Sequence, residues 1–230
     1  MRARGSGLVT SWAYPILLAG VALGADAAYE RIQYGLLSAG ALDEVAHLTT
    51  AALGLLALAC FIELPRRFYI AALIASVAID LDHIPLYLGL LGDEAGRPFT
   101  HSLATVVIVA GAAVLSRRYR AVLAGAAIGL VLHFARDIVE GPPGVRMLWP
   151  LQQTAWIASH EWFPAMIIAF TAVRLVLVSA GFPRGRVRLF QAPSQSRSVV
   201  HIPVSRVTSG DNVPGPKPDE PDFEDASGMR

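Results

Sequence analysis

Lysine and cysteine are nearly missing from this chain, which has one of each, Lys217 and Cys60. A lone cysteine excludes a disulfide framework and a thiolate metal cluster. Cys60 lies in an apolar run and reads as a small buried or lipid-facing side chain. Charge of either sign is scarce: charged residues make up 16% of the chain, against roughly 25% in a soluble domain. That is too few to cover a water-facing surface. The net charge of +1 says nothing about nucleic acid, and with no basic patch interleaved with aromatics no nucleic-acid binding is expected. What remains is apolar, 54% hydrophobic with a mean hydropathy of +0.49.

The apolar residues fall in long runs. The first, Leu8 to Ala25, follows a basic start (Arg2, Arg4) and is interrupted by Pro15 and glycines. At about 18 residues, with no clear cleavage signature, it reads as a retained span. Further spans are expected at Val45–Ile62, at Phe68–Leu91 with a bend near Pro85, at Ser102–Leu115, at Ala121–Val139 and at Trp162–Gly181. The expected fold class is therefore all-α, a polytopic transmembrane helical bundle of about six spans. Residues 1–182 would form it, and residues 183–230 a basic then acidic, disordered cytoplasmic tail. Trp149, Trp156 and Trp162 suit an interfacial aromatic belt.

Arginine placement orients the bundle. With a cytoplasmic N-terminus, the inner segments hold Arg2, Arg4, Arg66, Arg67, Arg117, Arg118, Arg120, Arg184, Arg186 and Arg188. The outer side holds Arg31, Arg97, Arg136 and Arg146. Ten against four satisfies the positive-inside rule.

Against this background a handful of polar residues stand out. Asp80, Asp82 and His83 close an apolar run, where each would cost on the order of 2–3 kcal/mol in hydrocarbon without a partner. His47, His101, and His133 with Asp137 occur in the same kind of setting. In the topology above, all of them converge on the outer end of the bundle. His133 and Asp137 share a helix face at i,i+4, and Asp80 and His83 at i,i+3. Asp82 would then point elsewhere, to orient a ligand, accept a proton, or pair with Arg97 or Arg136. Asp43 or Glu44 could hold His47. Each feature alone has a plainer reading, as a helix cap, an interfacial histidine or a solvated acid. Together they point to a divalent cation. Imidazoles and carboxylates without thiolates suit zinc, manganese or iron(II), with one or two ions and a shared carboxylate. Arg97 and Arg136 are candidates either for holding an anionic head group or for charge pairing.

Several motifs together resemble those of the YdjM family: Ala46-His47, Asp80-Leu81-Asp82-His83, Arg97-Pro98-Phe99-Thr100-His101-Ser102-Leu103, His133-Phe134-Ala135-Arg136-Asp137 and Leu148-Trp149-Pro150. These are inner-membrane proteins described as metal-dependent hydrolases and also as LexA-binding. The resemblance covers about Asp43 to Pro150. It implies His47, Asp80, Asp82, His83, His101, His133 and Asp137 as functional positions. The chain departs from the family pattern at Gly96 and Pro98, where a His and a Gly are usual. The ordering is also distantly similar to that of zinc-dependent phospholipases C, an analogy in which Asp137 would bridge two metals.

The resulting expectation is a multi-pass plasma-membrane hydrolase with an extracytoplasmic site. Metal ligands would be His47, Asp80, His83, His101, His133 and Asp137, with Asp82 and Asp137 as catalytic carboxylates. The substrate would be a phosphoester or a lipid-like ester, and membrane lipids the surroundings. The alternatives are a metal transporter or a non-enzymatic scaffold, with a partner-binding role for the tail as a third. Sequence leaves the oligomeric state open.

Overall fold

A computed structural model of the chain describes residues 4–31, 36–87, 90, 97–141 and 143–181. All lie in the first of two units, Met1–Phe190. The second, Gln191–Arg230, lies outside the described residues, and with it most of the expected tail. Much of the expected polar loop before Pro98 also lies outside them.

Among the described residues there are six α-helices of 13 residues or more: α1 (Arg4–Tyr29), α2 (Leu36–Leu58), α3 (Arg66–Ala78), α5 (Leu103–Leu115), α6 (Arg120–Glu140) and α7 (Trp162–Ser179). A 3₁₀ turn (Ile79–His83) and a single-turn helix, α4 (Ile84–Tyr87), continue α3. Among the described residues there is no strand, only one isolated bridge between Val145 and Trp156. Three helical stretches among the described residues are long and apolar enough to cross a membrane: Ser38–Leu58, Arg120–Glu140 and Trp162–Ser179. The outward faces of α5 and α7 are apolar as well, with Val107, Ile108, Ile168 and Val176 each more than 60% exposed.

Two boundaries differ from expectation, and both differences matter for the site. α2 begins at Leu36, well upstream of Val45, so Asp43, Glu44 and His47 lie within a helix and not at its entrance. The departure from α-geometry in the third run starts at Ile79, ahead of Pro85. Proline lacks an N–H and its ring clashes with the carbonyl four residues earlier, here Leu81. The chain answers by tightening to i→i+3 bonding before the proline, the Ile84 N–H donating to the Leu81 carbonyl.

Packing in a membrane gains little from hiding apolar surface and depends on close approach of backbones. α6 supplies that through Gly125 and Gly129, four residues apart. A Cβ at Gly125 would lie 2.2 Å from the Phe68 carbonyl oxygen, and one at Gly129 would lie 2.1 Å from that of Ala72. One turn further on, His133 Nδ1 is 2.9 Å from the Ser76 carbonyl oxygen. The three contacts keep a constant register, each partner pair four residues beyond the last. α3 and α6 therefore run parallel, as they must if one membrane crossing separates them. Ala22, Leu53, Val139, Phe163 and Ile167 bind α1, α2, α6 and α7 together. The loop after α6 is pinned back by Val145–Trp156 pairing and by the Leu103 N–H donating to the Met147 carbonyl, which fixes the residues just before α5.

Candidate metal centre

The parallel α3–α6 pair delivers the polar residues to one place. His133 and Asp137, on successive turns of α6, are fully buried. Asp80, from the 3₁₀ turn, and His101, just ahead of α5, complete a quartet. His101 Nε2 lies 3.2 Å from His133 Nε2 and 3.1 Å from Asp80 Oδ1. His133 Nε2 is 3.5 Å from Asp80 Oδ1 and 3.2 Å from Asp137 Oδ2, and His101 Nε2 is 3.7 Å from the same Asp137 oxygen. Ligands about 2.0–2.1 Å from a tetrahedral ion stand about 3.3–3.4 Å apart. Five of the six edges of this quartet scatter closely around that length.

Local chemistry aims the donors. The Ser76 carbonyl can only accept, so His133 Nδ1 carries its proton and Nε2 presents a lone pair to the centre. His101 is held from its other nitrogen, Nδ1, by Asp82 Oδ2 at 3.2 Å, and the Thr100 hydroxyl donates to the same oxygen. Burial opposes a charge on His101, but the bonds to Asp80 and Asp82 outweigh it and raise its pKa to about 9. A cation entering the quartet must displace that proton. Asp137 Oδ1 and Oδ2 and Asp80 Oδ2 are buried with no hydrogen bond in good geometry, though Arg97 Nη1 lies 3.0 Å from Asp137 Oδ2. A donor set left short of partners in this way fits a divalent cation of the zinc, manganese or iron(II) type.

The other expected residues fall around the quartet. His83 Nδ1 is 3.0 Å from Asp82 Oδ1 and 3.4 Å from Asp80 Oδ1, so Asp80, Asp82, His83 and His101 form one group able to hold an ion. His47 stacks on His133 with ring centroids 3.9 Å apart, and its Nε2 lies 3.2 Å from Asp137 Oδ1. His47, His133 and Asp137 form a second such group. Asp82 does not point away from the cluster, as an α-helical reading required. The 3₁₀ turn rotates it onto His101, and Arg97 and Arg136 pair elsewhere. Asp43 approaches His47, 3.5 Å from its Nε2, whereas Glu44 faces Asp80. His160 is partly exposed, yet it bonds Asp26 at 3.1 Å and Glu30 at 3.3 Å.

Sequence reasoning missed Asp26, Glu140 and Arg174. Glu140 sits seven residues after His133, on the same face of α6, and bonds Arg97; that spacing was an available signal. Asp26 reaches Arg136 from α1, a tertiary contact with no sequence signature. Arg174, buried in α7, donates to Cys60 Sγ at 3.1 Å. Because Asp82 holds His101 without entering the quartet, Asp82→Ala is expected to weaken metal binding by about 10–100-fold and not to abolish it. A competition titration with a chelating dye would measure this.

An apolar chain that is helical, without strands, among its described residues and carries a buried histidine–carboxylate cluster is a helical membrane-type protein with a candidate metal centre. Comparison with family models makes the class specific. The model described as YdjM inner membrane protein matches residues 42–204, and the chain belongs to that family. α1, with Asp26, precedes the matched region. Neither the curated proteins nor the solved structures contain a match to this chain.

Proposed function

We propose that this protein is a multi-pass, metal-dependent hydrolase of the inner membrane, acting on a phosphoester or lipid-like ester from the extracytoplasmic side. The quartet His101, His133, Asp80 and Asp137, with its near-tetrahedral edges, is the observation that carries the reading. Those four residues would hold the cation, with His83 and His47 beside them. The cation, zinc foremost, supplies Lewis acidity toward a phosphoryl oxygen and a lowered pKa for water. The protein's own part is orientation. The Ser76 carbonyl and the Asp82–Thr100 pair fix the two imidazoles. Arg97, 10% exposed and beside Asp137, is placed to hold an anionic ester oxygen.

Six spans, α1, α2, the α3–α4 segment, α5, α6 and α7, put both ends of the bundle on the arginine-rich cytoplasmic side, with the cluster opposite. Leu81, Ile84 and Phe99 are exposed beside the cluster, an apolar rim that favours a lipid-borne substrate over a soluble one.

Purified protein supplied with zinc or manganese is expected to cleave a chromogenic phosphoester, and chelation or His101→Ala to stop it. Metal flux into vesicles that depends on His101, with no ester cleaved under any metal, would replace the hydrolase with a transporter.

A further inference from the structure

Only one oxygen of Asp137 faces the quartet. The other, Oδ1, faces His47, where a second cage begins. Asp43, His47 and Glu140 bring ligand atoms within 4.8 Å of one another, the donor chemistry of a second metal position.

That cage already contains a cation. Arg136 Nη1 hydrogen-bonds Asp43 Oδ1, lies 3.0 Å from His47 Nε2, and is 3.8 Å from Glu140 Oε2. One nitrogen thus touches or approaches all three members of the cage. Nη2 donates to Asp26 Oδ1 at 3.3 Å, and the guanidinium lies 5.6 Å from the centroid of the Phe163 ring. The side chain is 1% exposed. Its contacts come from α1, α2, α6 and α7, so it cannot leave without disturbing all four helices.

We propose that Arg136 is a built-in second cation, and that this protein therefore takes one divalent metal, at the quartet, where its ligand pattern would otherwise suit two. The inference rests on the metal reading above. The guanidinium fills the space between the three donors, so a second ion could enter only by displacing the whole side chain. His47 Nε2 accepts from Arg136, which directs its lone pair at the guanidinium. Expelling Arg136 would also take the guanidinium away from the partly buried Asp43 and leave Asp26 with His160 alone. His47 is then a positioning residue for Arg136 and leaves the ligand set.

The test is metal stoichiometry of the purified full-length protein after equilibration with zinc and removal of excess. One zinc per chain is expected in the wild type, two in Arg136→Gln, and one in Arg136→Lys, which restores the charge. Two zincs in the wild type, or one in a folded Arg136→Gln, would overturn the proposal. No zinc in the wild type would overturn the metal reading beneath it. Should the Gln variant fail to fold, His47→Ala decides: the single zinc is expected to remain, with affinity changed less than tenfold. Its loss would return His47 to the ligand set.

Discussion

His133→Ala is expected to empty the quartet of metal while leaving the helices assembled. His133 contributes one of four donors, with its lone pair already aimed by the Ser76 carbonyl. Structural zinc sites bind with about 10–16 kcal/mol in total, so one donor accounts for about 3 kcal/mol or more, a loss of a hundredfold or greater in affinity. The remaining carboxylates, Asp80 and Asp137, would then lack the second imidazole that balances them at 3.5 Å and 3.2 Å. Elemental analysis should fall from about one equivalent to near zero, with hydrolysis lost in parallel and helical circular dichroism retained. His160→Ala is the control, since His160 bonds Asp26, Glu30 and the Val139 carbonyl, outside the quartet. Full metal content in His133→Ala would show that the quartet is not the binding site.

Gly129→Leu should do something different: part the helices. Even a methyl group at this position lies 2.1 Å from a backbone oxygen of α3, which no rotamer change relieves. Either α3 shifts bodily or the pair does not form. Overpacking of a core typically costs 1–3 kcal/mol, and a clash with the carbonyl oxygen, carbonyl carbon and Cα of Ala72, all backbone atoms, puts this substitution at the upper end or beyond, about 3 kcal/mol or more. The site should fail with the fold, because the Ser76 carbonyl and Asp80 reach α6 only through this approach. Gly111→Ala, on α5, meets nothing within 4 Å and is expected to be silent. Thermal unfolding in detergent, followed with zinc content, distinguishes the two. Equal stability for Gly129→Leu and Gly111→Ala would contradict the packing described here.

The polar residues were legible in the sequence because a charged group in an apolar run has few innocent explanations. His47, Asp80, His83, His101, His133 and Asp137 were all visible on that ground, and the arginine bias brought them to one end. Helical periodicity sufficed for His133 and Asp137, whose helix is regular. It failed for Asp82, because a proline three residues later tightens the turn and changes which side chains share a face. It failed for Asp43 and His47 in another way. Their helix starts further upstream than the apolar run, so residues that looked like its entrance lie inside it, His47 fully buried and Asp43 partly so.

From the order of residues alone came the membrane character, the helical class and the identity of the cluster, since these depend on composition and on spacing within one helix. Which atoms meet was decided only in three dimensions. The 57-residue register between α3 and α6 sets Ser76 against His133, and a contact so distant in sequence leaves no periodic trace. The same holds for Arg136, which reads as one more outer arginine in the chain but in the folded bundle lies between Asp26, Asp43 and His47. Two glycines make that arrangement possible, by letting backbones approach more closely than any side chain would allow.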